Sequence, residues 1–163
     1  MGITYGGERA EEMTLWSDSS WGREPKPMSG HVLIYGGAAL SFGAKLLKIV
    51  PMSSAEAETA VLSVGCKDMM YVKQLLAELR PGKIPTQIPA YVDNSATVDI
   101  VKAYGVTART KHFERWVAYV RDLYQRHVIK VVWIKTDDMT ADVFTKALGF
   151  DKFTKFRATL LNI

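Results

Sequence analysis

Apolar residues recur along this chain with two different periods, and each period predicts a different kind of element. From Met13 to Ser19 apolar and polar positions alternate, which predicts a strand carrying Trp16 and Asp18 on one face. The stretch from Gly22 to Pro27, with two prolines, is a predicted turn. Gly30 to Tyr35 and Ala38 to Ala44 then predict a hairpin around Gly36-Gly37, so the three segments form an antiparallel meander. The period changes at Ser53, which opens a predicted helix running to Leu79 and stopped by Pro81-Gly82. Its apolar residues, among them Val61, Leu62, Cys66, Met69, Val72 and Leu76, cover more than one stripe, as in a helix buried on several sides.

Ile88 to Asp93 reads as a strand and Asn94 to Val101 as a short helix. His112 to Arg126 is an amphipathic helix, with Phe113, Trp116, Val117, Val120 and Leu123 at three- and four-residue spacing. Val128 to Lys135 is apolar on both faces, the pattern of a parallel strand covered by helices. Asp138 to Leu148 and Asp151 to Leu161 are expected to be closing helices. A meander followed by helix, strand, helix, strand and helix predicts an α/β domain with helices on both faces of a mixed sheet. Trp21, Trp116 and Trp133 are expected in its core, and Cys66 as a small buried hydrophobe.

Composition changes this picture little. A chain of 163 residues is large enough for one domain with a core of its own. The single cysteine excludes an internal disulfide. No apolar run reaches the roughly 18 residues of a membrane span, and the start lacks the basic flank and apolar stretch of a secretory signal, so a soluble domain is expected. The net charge of +4 leans only mildly toward a polyanionic partner.

The chemistry is carried by four acidic residues, each inside a short motif. These are Asp18 in Trp16-Ser17-Asp18-Ser19, Glu56 in Ser53-Ser54-Ala55-Glu56-Ala57-Glu58, Asp93 in Tyr91-Val92-Asp93-Asn94, and Asp142 in Thr140-Ala141-Asp142-Val143. Each has a local structural explanation. Asp18 is a candidate turn residue, Asp93 a candidate helix cap, and Asp142 a carboxylate near a helix start. Glu56 follows Ser53 at the spacing of a capping box. Taken together they read differently. Asp18 and Asp93 end predicted strands, Glu56 begins the helix behind them, and strand ends near a switch in strand order face one crevice. Converging carboxylates repel, and hard divalent cations are the natural neutralising partners. Glu58 is the rival to Glu56, but two residues along a helix turn a side chain by about 200°, so both cannot face one site.

The same motifs carry a family resemblance. The blocks Ile3 to Gly7, Ser29-Gly30-His31-Val32, Ser53 to Glu58, Tyr91 to Asn94, Arg109-Thr110-Lys111-His112, Ala141-Asp142 and Thr145-Lys146 resemble, in order, the ribonuclease H domain of copia-type (Ty/copia) LTR-retrotransposon polyproteins. The resemblance implies a ribonuclease H-like fold, with a five-stranded mixed sheet made of the meander and two parallel strands. It implies residues 1–12 as a remnant of the polymerase–nuclease connection and linker, and 13–163 as the nuclease domain. It also implies hydrolysis of the RNA strand of RNA–DNA hybrids during reverse transcription, by two Mg²⁺ ions for which Mn²⁺ substitutes. Asp18, Glu56, Asp93 and Asp142 would be the catalytic and metal-binding residues, with Glu56 chosen over Glu58 because it matches the family's position. Asn94, Arg109, Lys111 and His112 would contact nucleic acid, although Asn94 as a helix cap and the basic loop as a solvated helix entry are equally open readings. The expected partners are the RNA–DNA hybrid and the reverse transcriptase domain of the same polyprotein, with no membrane. The expected location is the cytoplasm, inside a virus-like particle for an active element, with the nucleus as a second compartment.

Some positions depart from the family. No histidine stands in the loop Lys135 to Met139, Ser20 replaces a usual second Asp, Leu46-Leu47 fall where polar or basic residues are common, and Thr59 replaces a Tyr. Two other functions fit part of the pattern. One is a decayed or domesticated module that binds nucleic acid or a protein without cutting; the other is a different nuclease or integrase of the same fold.

Overall fold

The computed structural model describes residues 2–7, 11–22, 26–105 and 111–163. Strands β1 (Met13–Ser19), β2 (Met28–Tyr35) and β3 (Ala38–Leu46) are followed by helix α1 (Ser54–Leu79), strand β4 (Ile88–Val92) and helix α2 (Ser95–Lys102). Helix α3 (Glu114–Gln125), strand β5 (Ile129–Trp133) and helix α4 (Phe150–Leu161) complete the chain. The five strands form one sheet in the order β3-β2-β1-β4-β5. The first three are antiparallel, while β4 runs parallel to β1 and β5 parallel to β4. This is the mixed sheet that the order of elements predicts. Gly36 and Gly37 both adopt positive φ, 61° and 87°, which lets the two-residue turn between β2 and β3 follow the sheet twist.

Alternation decides what each face carries. Met13 and Leu15 of β1, Leu33 and Tyr35 of β2, and Ile88, Ala90 and Val92 of β4 join Leu62, Cys66 and Met69 of α1 and Val120 and Leu123 of α3 in the main core. Trp16, Val32 and Ile34 point the other way, into a smaller cluster closed by Phe144 and by Leu160 of α4. Helix α1 is enclosed along its first turns, where every residue from Ala55 to Ser63 is buried; its last turns expose Tyr71, Leu75 and Leu79. Cover on several sides therefore holds only for its first half. Cys66 is fully buried, and burial pushes its thiol up to about 12, as befits a small hydrophobe.

Two expectations fail. Asp138 to Leu148 is not an α-helix but two short 3₁₀ turns, Thr136–Asp138 and Thr140–Phe144, with α4 starting only after Gly149. Tertiary contacts override the helical pattern here: Met139 and Ala141 are fully buried and the Thr145 side chain is tied to β1. Trp21 and Trp133 are not core residues, being 44% and 49% exposed, and each indole donates to a backbone carbonyl, of Pro51 and Asp93 respectively. The amphipathic indole sits where its N–H can be satisfied and its ring stays half wet. Trp116 is half-buried.

Candidate metal centre

The parallel pairing of β1 with β4 sets Trp16 beside Tyr91, with their rings 4.3 Å apart. Two residues further along each strand come Asp18 and Asp93, on the same face and at the same end of the sheet. The Thr140–Phe144 turn brings Asp142 to this end. It can approach because Gly30, opposite Asp18 on β2, has no side chain. A Cβ at Gly30 would lie 2.6 Å from Thr145 Cγ2 and 2.8 Å from Phe144 Cβ, so any larger residue would push the turn away. One carboxylate oxygen from each of Asp18, Asp93 and Asp142 lies within 4.8 Å of the others. Asp18 and Asp142 are buried and Asp93 is half-buried, so the cluster opens to solvent on the Asp93 side.

Cations of the chain itself also reach the cluster. The Lys146 ammonium donates to Asp18 Oδ1 at 3.1 Å and to Asp142 Oδ1 at 2.7 Å. Lys152 from α4 donates to Asp142 Oδ2 at 2.8 Å, and the Thr145 hydroxyl to Asp18 Oδ2. Burial raises the Asp18 carboxyl to about 6 against the opposing pull of Lys146 and Thr145. Burial by itself would lower the Lys146 pKa, but the charges of Asp18 and Asp142 and their hydrogen bonds leave it raised.

The structure does not bring Glu56 into this group. Its Oε2 accepts the Met52 N–H at 2.8 Å, while its own N–H donates to Ser53 Oγ, the N-cap of α1. Ser53 thus caps the helix as its spacing to Glu56 allowed, while the Glu56 carboxylate is engaged by the residue before the cap and is not among the clustered acids. Glu58 lies beside the site instead, although it is not one of the three clustered acids. Its Oε1 accepts both the N–H and the hydroxyl of Ser19, next to Asp18, at 3.0 and 2.9 Å. Its Oε2 is buried and has no hydrogen-bond partner among the described residues. Burial pushes the Glu58 carboxyl well above its ordinary range; the charges of Asp18 and Asp93 push the same way, and Ser19 pulls it back only in part. The helical rotation lets only one of the two glutamates face the aspartates; the Ser53 spacing hinted at a capping role for Glu56 without deciding between them.

Asn94 caps α2, its side-chain oxygen accepting the Thr97 N–H at 3.3 Å and its amide donating to Ser54 Oγ at 3.1 Å. Lys111 is exposed in a short 3₁₀ turn before α3, beside a concavity lined by Phe113, Glu114, Arg115 and Trp116. Arg109 and the His112 side chain lie outside the described residues. The C-terminal end of α2 is held by Arg121 of α3, which is buried and donates to the carbonyls of Ile100 and Gly105. Sequence reasoning noted Lys146 only as part of the Thr145-Lys146 block and gave neither it nor Lys152 a role at the site, because nothing local to either shows which carboxylates it will meet.

Solved structures with this arrangement of elements decide the architecture. The N-terminal RNase H domain of a Mycobacterium tuberculosis protein, solved fused to maltose-binding protein, superposes with a TM-score of 0.62 at 15% identity, covering 91% of this chain and 97% of that one. The fold is that of ribonuclease H. RNase H1 of the archaeon Halobacterium salinarum gives 0.59 at 16% identity over 82% of this chain and 94% of that one. LC11-RNase H1, solved in complex with an RNA/DNA hybrid, gives 0.62 at 16% identity, with the same 82% and 94% coverage. No family model matches the chain.

Sequence relatives supply the context. The Pol polyprotein of transposon TNT 1-94 from Nicotiana tabacum is 31% identical over 128 residues, 78% of this chain. That of transposon RE1 from Arabidopsis thaliana is 28% identical over 149 residues, 89% of this chain. The chain spans about a tenth of the length of these relatives, 10% in each case. These relatives are copia-type retrotransposon polyproteins, so the resemblance read from the motifs holds. No helix among the described residues is long and apolar enough to cross a membrane.

Proposed function

We propose that this chain is a ribonuclease H that cuts the RNA strand of RNA–DNA hybrids with divalent-ion assistance, as the nuclease portion of a retrotransposon's reverse-transcription machinery. One observation carries the reading: three aspartate oxygens within 4.8 Å of each other at one end of a ribonuclease H sheet. Hard oxygen donors in that number suit Mg²⁺ or Mn²⁺. The buried, unpartnered Glu58 Oε2 beside Asp18 and Asp93 fits the same group, because a buried carboxylate oxygen without a donor is otherwise a cost without return. Asp18, Glu58, Asp93 and Asp142 would therefore hold the ions, with Glu58 in the place expected for Glu56.

A pair of bound divalent ions would supply an activated water and charge stabilisation for in-line attack on a phosphodiester. The chain's own contribution is positional. Asp18 and Asp93 are fixed by adjacent parallel strands, and the Asp93 carbonyl is held by the Trp133 indole at 3.1 Å. Glu58 is locked by two hydrogen bonds to Ser19, and Asp142 is set by the close approach of its turn to Gly30. The opening on the Asp93 side is where a backbone phosphate could enter. Lys111, with Arg109 from the sequence, would meet the DNA strand, and Asn94 would act through the α2 cap. The hybrid in the LC11-RNase H1 structure supports the choice of substrate class. The reverse transcriptase of the same polyprotein is the natural partner, and a cytoplasmic virus-like particle the natural location.

A cleavage assay with labelled hybrid, Mg²⁺ and EDTA tests this. The protein should cut RNA in the hybrid and leave duplex DNA intact. Asp93→Asn and Glu58→Gln should each lower the rate by more than about 100-fold, as loss of a ligand charge does at such centres. Hybrid binding without cutting by the unaltered protein would mark it as a non-catalytic binding module instead.

A further inference from the structure

The Asp18 and Asp142 side chains are each 1% exposed and share one ammonium between them. Lys146 lies four residues after Asp142, and its Nζ meets the Oδ1 atom of both aspartates, at 3.1 and 2.7 Å. The remaining oxygens are engaged too, Asp18 Oδ2 by Thr145 and Asp142 Oδ2 by Lys152 at 2.8 Å. Every oxygen of this carboxylate pair therefore already has a donor. Asp93 and Glu58 differ, since Glu58 Oε2 has no hydrogen-bond partner and no lysine is paired with either among the described residues. The site is asymmetric: one side is neutralised from within and the other is not.

We propose that Lys146 is a tethered counter-cation that holds the Asp18–Asp142 pair and competes with divalent ions for it, so that cation affinity on the Asp142 side is set by the cost of displacing this lysine. The proposal rests on the metal-centre reading given above. Two buried carboxylates repel, and a positive charge between them is needed for both to stay ionised. A monovalent ammonium on the same chain supplies it at high effective concentration. A divalent ion held by Asp18 and Asp142 would have the larger charge, but it would have to displace the ammonium from them. The Lys146 side chain is 16% exposed, so it is not sealed from solvent. The Asp93–Glu58 side carries no such competitor among the described residues and should fill at lower ion concentration. Lys152 touches only the outer oxygen of Asp142 and is 27% exposed, so it should matter less.

The test measures Mn²⁺ binding by calorimetry and melting temperature in EDTA and in Mg²⁺, for the unaltered protein, K146M, K146R and K152M. K146M should bind Mn²⁺ at least about tenfold tighter at the weaker site, melt lower in EDTA, and gain more from Mg²⁺ than the unaltered protein. K146R, which keeps the charge, should retain the weaker affinity, and K152M should change it less than K146M. A lysine that merely braces the fold would lower melting in both conditions and leave Mn²⁺ affinity where it was; that result overturns the proposal, as does weaker binding by K146M. Should K146M be unfolded in EDTA, recovery of its fold at Mn²⁺ concentrations below the unaltered protein's weaker half-saturation point supports the proposal, and no recovery overturns it. Failure of the unaltered protein to bind Mn²⁺ overturns the metal centre itself, whereas normal binding with no effect of K146M overturns only the role of Lys146.

Discussion

The two faces of the sheet solve the same burial problem by opposite means. The face under α1, α2 and α3 is filled by aliphatic side chains such as Leu15, Leu33, Leu62, Ile88 and Val120, all fully or almost fully buried. Its stability comes from apolar area removed from water, roughly 25 cal/mol per Å². The opposite face has a thin apolar patch of Val32, Ile34 and Ala39, and at its Asp18 end it gives way to buried charge. There the favourable terms are electrostatic and depend on which cations are present. The first face specifies the fold; the second uses part of the resulting stability to hold groups that would otherwise repel. Strained or costly groups of this kind are where function is expected to lie.

The sharpest way to break this contrast is to damage the apolar face alone. Leu62→Ala should cost about 2–5 kcal/mol of stability, read by denaturant unfolding, because Leu62 is wholly buried between α1 and the sheet. Its Mn²⁺ affinity, measured where the variant is folded, should be unchanged; a clear loss of affinity would mean the faces are not independent. Gly30→Ala probes the other face. The added methyl meets Thr145 and Phe144 below 3 Å, so a loss of about 1–3 kcal/mol should come with weaker Mn²⁺ binding as Asp142 is pushed away.

A smaller effect should appear on titration. The folded-state pKa of Asp18 is raised from 3.8 to about 6, and that of Glu58 is raised above 4.5. Groups raised in this way favour folding below their unfolded values and lose that contribution as pH rises through the folded ones. In EDTA the melting temperature should therefore fall, by roughly 5 °C, between pH 4 and pH 7, and saturating Mg²⁺ should reduce the fall. The exposed pairs of Glu11 with Lys83 and Asp138 with Lys155 act in the opposite sense but contribute little at the surface. A melting temperature that rises across this range in EDTA would contradict the buried-charge account. The smallest effect separates two neighbours on one helix: Glu56→Gln should cost at most about 1 kcal/mol through the weakened cap and leave hybrid cleavage within a fewfold of normal. If Glu56→Gln abolished cutting while Glu58→Gln did not, the placement of the two glutamates would be reversed.

Local pattern was enough to read the strands, the hairpin turn at Gly36-Gly37, α1 and α3, because each depends on periodicity or on turn chemistry within a few residues. The acids were singled out by their motifs taken together and by the family resemblance, and the structure brings Asp18, Asp93 and Asp142 together. The strand ends that carry Asp18 and Asp93 follow from alternation, and their convergence from the order of elements. Which glutamate completes the group was not decided by the motif, since Ser53-Ser54-Ala55-Glu56-Ala57-Glu58 offers both. The proposal of Glu58 rests on the direction of α1 against β1, with Ser19 there to receive it. The segment before α4 likewise has a helical pattern that its packing against Gly30 overrides. Lys146 and Lys152 became legible only when Asp18, 128 residues away from Lys146 in sequence, was brought to it. Periodicity is a property of neighbouring residues, whereas the balance of charge in a buried site depends on every group that reaches it, and that sum exists only once the chain has folded.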